Sequence, residues 1–223
     1  MSSSSTADLI RRALADNNPT AWFDTVYAEA EAGRGTIPWA HMKPHPDLLA
    51  WLDREQVNGA GQRALVVGCG LGDDAEELAR RGFVVTAFDI APRAIAACRR
   101  RFPHSQVEYR VANLLAAPDN WQGAFDLVLE SHTLQSLPWN LCAPAIAAVA
   151  GCVAPGGAAL VLCLGRDPAD DRRGIPWPLS RAELADFEDA GLREELFEDL
   201  REQTGRRRFR VVYRRPAEAA NAD

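Results

Sequence analysis

The sequence VVGCGLGDD, residues Val66–Asp74, decides the fold of this chain. It follows the apolar run Arg63–Val67, which predicts a buried strand, and leads into a helical pattern over Asp74–Arg81. Glycines allow a tight turn and a close approach of the backbone to a ligand. Asp89 ends the next predicted strand roughly 20 positions after Gly68, where a carboxylate suits ribose hydroxyls. The pattern predicts a ribose-containing cofactor at the carboxyl edge of a parallel sheet, with a tight turn lacking any ligand as the alternative.

Acidic residues near this stretch distinguish between cofactors. A dinucleotide site reads G-x-G-x-x-G/A and needs a small residue at position 73, where this chain has Asp73. Asp73, Asp74, Asp89 and Glu130 all fall at the predicted carboxyl edge, where they would repel a pyrophosphate by on the order of a few kcal/mol. S-adenosylmethionine has no phosphate and carries two cationic groups. We therefore expect this cofactor, with S-adenosylhomocysteine as its product, rather than NAD or FAD.

Strand and helix patterns alternate along the rest of the core. The alternation predicts a doubly wound α/β fold whose sheet has seven mostly parallel strands covered on both faces. The last two strands have no helix between them and predict an antiparallel edge hairpin. Ser180 and Glu183 form a capping-box pattern. The strand patterns cover Phe83–Phe88, Val107–Val111, Phe125–Glu130, Ala158–Leu164, Leu192–Leu200 and Arg207–Arg214, and helical patterns cover Pro92–Arg101 and Leu141–Val153.

The segment before the core predicts helices and no strand. Helical patterns cover Ala7–Ala15, Pro19–Ala32 and Asp47–Gln56, and the turn-rich segment Gly33–Trp39 carries a tryptophan that we expect to be exposed. We accordingly divide the chain into an N-terminal helical lid over 1–58, a cofactor-binding core over 59–216, and a tail over 217–223.

Composition and charge exclude several classes of protein. The 223 residues are 47% hydrophobic and 25% charged, as in ordinary globular proteins, and the net charge of −6 gives no basic field that attracts nucleic acid or anionic membrane. The five cysteines form no CxxC pair and the four histidines no zinc spacing, so we expect no metal site. The sequence has no signal peptide and no membrane-length apolar run. We expect a cytoplasmic protein that is a monomer or a weak homodimer, with Arg99–Arg101 and Arg206–Arg208 as solvated surfaces.

Four successive motifs resemble those of class I S-adenosylmethionine-dependent methyltransferases. They are Gly68–Asp74, Phe88–Ile90, Phe125–Glu130 and Ala154–Gly157. Two features ahead of the core resemble more narrowly the thiopurine methyltransferase-type, small-molecule branch: Ile37-Pro38-Trp39 followed by Pro46, and the spacing of Trp22 and Tyr27. The resemblance covers the chain from about residue 20 to residue 216.

The resemblance implies a set of cofactor contacts. Backbone groups of the glycine motif would face the methionine moiety, and the acid after the second strand would bind the ribose. Trp39 would lie over the sulfonium, where a cation–π contact contributes about 0.5–2 kcal/mol, or would act as a hydrophobic plug between lid and core. The implied cofactor residues are Trp39, Gly68, Cys69, Gly70, Asp74, Asp89, Ile90, Asn113, Leu114 and Glu130.

The residues after the strand Phe125–Glu130 should line the acceptor site. They contain no D/N-P-P-Y/F sequence, which is typical of amino methyltransferases acting on nucleobases, so we expect a small-molecule acceptor. His132 is the candidate catalytic base, because its ordinary pKa is near neutral; the alternative is a histidine merely hydrogen-bonded at a strand end. We expect His41, His45 and His104 on the surface. The candidate substrate contacts are Trp22, Tyr27, Thr133, Gln135 and Trp177, the three aromatic residues alternatively being packed in the protein.

The expected reaction is methyl transfer to a thiol or another soft nucleophile. Thiolate and sulfonium charges disappear together in the transition state, so a dry pocket favours this reaction. Three alternatives remain: a small-molecule O- or N-methyltransferase with His132 as base, an RNA methyltransferase that uses the arginine clusters, and a cofactor-binding regulator without catalysis.

Overall fold

One mixed sheet forms the centre of the protein, whose computed structural model describes residues 6–16, 18–170, 176–201 and 205–217. Within that part the strand order is β3-β2-β1-β4-β5-β7-β6; the first five strands are parallel and β7 is antiparallel to both neighbours. This confirms the predicted seven-stranded fold with an antiparallel edge hairpin. The strands are β1 Arg63–Val67, β2 Val84–Asp89, β3 Glu108–Val111, β4 Phe125–Ser131, β5 Val153–Leu164, β6 Arg193–Arg201 and β7 Arg207–Arg214.

Helices cover both faces of this sheet. Side chains of β1 alternate between the faces: Leu65 and Val67 pack with α6, whereas Ala64 and Val66 pack with α3 and α4. The capping box of Ser180 and Glu183 begins α7 as predicted. The helices are α1 Thr6–Ala15, α2 Ala21–Glu31, α3 Pro46–Arg54, α4 Asp73–Arg80, α5 Pro92–Arg101, α6 Trp139–Cys152, α7 Arg181–Leu184 and α8 Asp186–Asp189, and 3₁₀ turns cover Leu114–Ala116, Asp119–Trp121 and Leu134–Ser136.

The start of β5 differs from the prediction. The predicted strand Ala158–Leu164 begins earlier, at Val153, so that Pro155–Gly157, which separates the predicted helix from the predicted strand, lies inside it. The pairing of β4 with β5 shifts between Phe125 and Leu127, so the strand carries an irregularity there instead of ending. Gly156 has a φ of +76°, a left-handed conformation that favours glycine.

The N-terminal helices pack in two different ways. Helices α1 and α2 enclose a small core of their own that includes Trp22, which is 3% exposed. Helix α3 packs into the sheet through Leu48 and Leu52, although it lies within the segment 1–58 assigned to the lid. Trp39 is half-buried against Trp22 and Phe23, which corrects the expectation that it is exposed.

Two further expectations concern the surface and the chain end. The arginine clusters pair with acids: Arg101 with Asp73, Arg207 with Asp199, and Arg208 with Asp47. The predicted tail lies outside the described residues beyond position 217. None of the helices in the described ranges has both the length and the apolar character of a membrane span.

Candidate active site

The glycine loop between β1 and α4 is held in a conformation that requires its glycines. Gly68, Gly70 and Gly72 have φ values of +59°, +56° and +88°, in the left-handed region. A Cβ atom on Gly68 would lie 2.3 Å from the hydroxyl oxygen of Thr133, so the residues after β4 pack directly on the loop. The loop therefore joins the predicted cofactor side and acceptor side of the sheet edge.

Asp89 at the end of β2 organises this loop. One carboxylate oxygen accepts a hydrogen bond from Gly70 N at 3.0 Å, and the other accepts one from Ala91 N at 2.8 Å. The side chain is 7% exposed, and burial raises the pKa of its carboxyl to about 6. Each carboxylate oxygen keeps further acceptor capacity, which suits the ribose hydroxyls of S-adenosylmethionine.

Two aromatic residues of the lid cover the glycine loop. The indole Nε1 of Trp39 donates a hydrogen bond to the Tyr27 hydroxyl at 3.0 Å, and the two rings meet edge to face at 5.9 Å. A Cβ atom on Gly70 would lie 3.6 Å from the Tyr27 hydroxyl and 3.8 Å from the Trp39 ring. Burial raises the pKa of Tyr27, so its hydroxyl stays neutral. Trp22, in contrast, lies in the core of the lid behind this pair.

The predicted adenine-side residues lie at the ends of β2 and β3. Ile90 is half-buried next to Asp89. Asn113 is exposed, and its side-chain oxygen accepts a hydrogen bond from Leu115 N at 3.0 Å, capping the 3₁₀ turn that follows. Leu114 is 8% exposed and packs in the core beneath this turn. The side chain of Asn113, which is predicted to contact the cofactor, thus also binds the backbone N–H of Leu115.

The structure brings His132 into contact with a second histidine. Nε2 of His132 lies 3.0 Å from Nε2 of His45, and Nδ1 of His132 lies 3.2 Å from Oε1 of Gln135. Burial lowers the pKa of His132; burial and the charge of the neighbouring imidazole lower that of His45 to about 4. Both rings are therefore neutral near pH 7. The expectation of a surface position is wrong for His45, because α3 packs against the sheet and brings its first turn to the end of β4.

Backbone strain marks this same position. His132 has a φ of +63°, a left-handed conformation that is uncommon for residues other than glycine. Its backbone N–H donates to Leu162 O at 2.9 Å, which holds the residue against β5. A strained residue carrying a titratable ring at a sheet edge supports a functional role for His132.

A half-buried acid, Asp74, and a fully buried one, Glu130, accept hydrogen bonds from backbone groups next to the two histidines. Asp74 Oδ1 accepts a hydrogen bond from His45 N at 2.6 Å, and burial raises the pKa of Asp74 to about 6. Glu130 Oε1 accepts hydrogen bonds from Thr133 N at 2.7 Å and Leu134 N at 2.9 Å. Within the described residues, Glu130 Oε2 is buried without a hydrogen-bond partner, and burial raises the pKa of this carboxyl to about 7. Both acids are predicted as cofactor contacts. In the structure they accept hydrogen bonds from the backbone N–H groups of His45, Thr133 and Leu134.

The remaining predicted acceptor contacts lie in the turn after His132. The Thr133 hydroxyl donates to Val67 O at 3.1 Å, and Gln135 is 3% exposed with its Oε1 accepting from Leu164 N at 2.6 Å. Trp177 N donates to Gln135 O at 2.7 Å. A cavity of about 240 Å³ opens beside this turn, and its walls include Leu134, Leu137, Trp139, Cys142, Trp177 and Leu179.

The sequence is similar to a known protein domain and to named bacterial proteins. Residues 64–157 match a family model described as a methyltransferase domain. The chain is 35% identical over 161 residues to a ubiquinone biosynthesis O-methyltransferase of Marinobacter nauticus, covering 69% of this chain and 64% of that protein. It is 38% identical over 111 residues to the protein of the same name from Xanthomonas campestris pv. campestris, covering 49% of this chain and 46% of the relative. The chain thus spans about half to two thirds of the length of these relatives.

Solved structures with little sequence similarity share the fold. One, described for the conversion of a disulfide bond into a thioacetal group during echinomycin biosynthesis, is 23% identical with a TM-score of 0.72, covering 90% of this chain and 93% of its own. Another is a Burkholderia thailandensis 1,6-didemethyltoxoflavin-N1-methyltransferase with bound S-adenosylhomocysteine, at 16% identity and a TM-score of 0.69, covering 93% and 90%. Together the comparisons confirm the predicted class I fold and a methyltransferase domain over residues 64–157.

Proposed function

We propose that this chain, which has the class I methyltransferase fold and matches the methyltransferase domain over residues 64–157, transfers a methyl group from S-adenosylmethionine to a hydroxyl group of a small aromatic molecule. One observation carries the proposal. Two neutral imidazoles, His132 and His45, meet at 3.0 Å beside the glycine loop, where a methyl acceptor would approach the cofactor.

The residues around the glycine loop fit S-adenosylmethionine. When bound, this cofactor supplies a methyl group on a cationic sulfur. Asp89 would accept hydrogen bonds from the ribose hydroxyls, and the loop glycines would let the backbone come close to the methionine part. Tyr27 and Trp39 cover the loop, exclude water and present aromatic ring surface to a cation.

The histidine pair favours a hydroxyl over a thiol acceptor. A thiol has a pKa near 8.5 and ionises partly without help, whereas a phenol with a pKa near 10 needs a base. A neutral imidazole is such a base, and its contribution is about 10²–10⁴-fold in rate. The two curated relatives named above are O-methyltransferases. S-methylation and the thiopurine-type branch, both expected from the sequence, remain predictions.

The cavity next to the turn after His132, which neither His132 nor His45 lines, supports an aromatic or apolar acceptor whose ring would lie there. Its volume of about 240 Å³ would hold a small ring, and Trp139 and Trp177 contribute flat apolar surface to its wall. The side chain of Trp139 is 54% exposed, so the cavity opens at the protein surface. A small molecule can therefore reach it directly.

The cytoplasmic location expected from the sequence remains a prediction.

A methyl-transfer assay with labelled cofactor tests the proposal. The panel pairs each substituted phenol with the thiophenol of the same substitution, so that the two acceptors differ only in the reacting atom. We expect transfer to phenols at pH 7.5 that is lost in His132→Ala and retained in the control His104→Ala, which changes an exposed histidine.

Two results would contradict this function. Methylation of thiophenols only, at a rate that His132→Ala leaves unchanged, would assign the enzyme to S-methylation. Cofactor binding in calorimetry without turnover of any phenol, thiophenol or amine would point to a regulator.

A further inference from the structure

We propose that Gln135 is a positioning residue that orients His132, that His45 contacts the methyl acceptor, and that the acceptor hydroxyl inserts between the two imidazoles. The oxygen of the hydroxyl then accepts a hydrogen bond from Nε2–H of His45, while its proton points at Nε2 of His132. This inference rests on the proposed function and extends it to two residues, one of which was expected on the surface and the other in contact with substrate.

Gln135 determines which nitrogen of His132 carries the proton. The backbone N–H of Leu164 donates to Oε1 of Gln135 at 2.6 Å, so flipping the amide would set its NH₂ group against that N–H. Nδ1 of His132 lies 3.2 Å from that same oxygen and must therefore be the protonated nitrogen. The lone pair of His132 is consequently on Nε2.

A separate backbone group determines the tautomer of His45. The N–H of Asp47 donates to Nδ1 of His45 at 3.2 Å, as part of the cap at the start of α3. Nδ1 of His45 is therefore the acceptor and Nε2 carries the proton. The Nε2–H of His45 then faces the bare Nε2 of His132 at 3.0 Å. Two backbone N–H groups, those of Leu164 and Asp47, thus independently determine the tautomers of the two rings. The two tautomers are compatible, since His45 donates through Nε2–H to Nε2 of His132.

These hydrogen bonds leave no lone pair free on either imidazole ring. Because His45 occupies Nε2 of His132, an incoming hydroxyl must separate the two rings. A hydroxyl is both donor and acceptor and satisfies both ring nitrogens after insertion, whereas a thiol is weak in both roles. The contact therefore selects for oxygen acceptors.

The transfer step balances within this arrangement. The hydroxyl oxygen gains the methyl carbon, and its proton moves to Nε2 of His132. The electron pair of the broken carbon–sulfur bond stays with sulfur. Gln135 Oε1 keeps accepting from Nδ1–H of His132, which is now an imidazolium, and so stabilises the new charge.

Burial, more than the nearby charges, keeps both rings neutral before the reaction. His45 faces His132, His41, Asp47 and Arg208, and its backbone N–H is bound by the Asp74 carboxylate. The Asp47 carboxylate lies 3.9 Å from Nδ1 of His45 but is paired with Arg208 at 2.7 Å. His132 faces Asp47, Arg206 and Arg208. The acid nearest to the pair is thus compensated by an arginine, and burial determines the protonation state.

Nitrogen-15 NMR of the imidazole rings tests the tautomers without any acceptor. In the complete chain with S-adenosylhomocysteine added, we expect His132 protonated on Nδ1 and His45 protonated on Nε2 at pH 7.5. The reverse tautomer on either ring would overturn the proposal. Gln135→Glu keeps an acceptor toward Leu164 and His132 and should raise the apparent pKa of His132. An unchanged pKa in that variant would contradict the contact.

Acceptor kinetics test the insertion. His45→Phe should raise KM for phenols at least tenfold and leave KM for the paired thiophenols within twofold, with His41→Phe, an exposed position four residues earlier, as the control. Equal changes for both acceptor classes would overturn selection by His45. Failure of the proposed function would give a different result. The NMR spectra would show the stated tautomers, but no hydroxyl acceptor would be methylated.

Discussion

The cofactor side and the acceptor side of this sheet edge are built differently. The centre of the cofactor side comes from one short stretch, since the glycine loop, Asp89 and the residues next to it lie within Gly68–Ile90. The acceptor side joins His45, His132 and Trp177 from distant parts of the chain. A motif within one stretch can be recognised from its spacing, whereas a site assembled across the fold cannot.

The two sides also differ in how their buried acids are satisfied. Both carboxylate oxygens of Asp89 accept backbone hydrogen bonds, but one oxygen of Glu130 has no partner among the described residues. His132, two residues after Glu130, has a left-handed backbone. Strain and unsatisfied polarity therefore concentrate on the acceptor side, as is common where chemistry occurs.

The largest expected effect is a loss of catalysis on the acceptor side that leaves cofactor binding unchanged. His132→Ala should lower kcat for a phenol acceptor by about 10²–10⁴-fold, because the proton loses its acceptor. Affinity for S-adenosylhomocysteine, measured by calorimetry, should stay within twofold. A comparable loss of cofactor affinity would mean that the two sides are not independent.

The complementary change is on the cofactor side. Asp89→Ala should weaken cofactor binding by about 1.5–3 kcal/mol, the range for hydrogen bonds to a charged group. The free energy of unfolding without ligand should also fall by about 1–3 kcal/mol, because Gly70 N and Ala91 N lose their buried acceptor. Normal binding by a destabilised variant would give Asp89 a structural role only.

Glu130 gives the acceptor side a distinct pH dependence of stability. Its folded-state pKa of about 7 is above the ordinary value near 4.3, so the fold favours the protonated form. The resulting stability is complete below about pH 4 and is lost as the pH rises through about 7, an effect on the order of 3 kcal/mol. Asp74 and Asp89, with pKa values of about 6, act in the same direction.

Glu130→Gln should remove this part of the pH dependence, since the amide resembles the protonated acid. Urea unfolding at pH 5 and pH 8 measures it, with Glu55→Gln, an exposed acid after α3, as the control. A variant whose stability falls between pH 5 and pH 8 as much as the parent's would contradict the buried-acid origin.

The smallest expected effect concerns the cover shared by both sides. Trp39→Phe keeps an aromatic ring but removes the hydrogen bond to Tyr27, so cofactor affinity should fall by about 0.5–1.5 kcal/mol. Hydrogen exchange over residues 21–39 should slow when S-adenosylhomocysteine binds and should slow less in the variant. Exchange unaffected by the ligand would make these helices a permanent layer of the fold.

Most of the fold was predictable from local patterns. The bounds of α5 and β7 and the capping box before α7 follow from proline placement, apolar alternation and the Ser180–Glu183 spacing. The start of β5 was not predictable, because Pro155–Gly157 has the composition of a turn. The pairing with β4 passes from Val153 directly to Ala158, and the segment between them is held by backbone hydrogen bonds of Gly156 and Gly157 with Arg215.

The sequence by itself determined the class I fold and the position of Asp89 at the end of β2, because glycine conformation and strand spacing are local properties of the chain. Only the tertiary structure decided that His45 meets His132, that Gln135 orients that ring and that Glu130 is left with an unpaired oxygen. The physical reason is that α3 packs on the sheet through Leu48 and Leu52. Burial of these apolar side chains brings together residues that no sequence spacing connects.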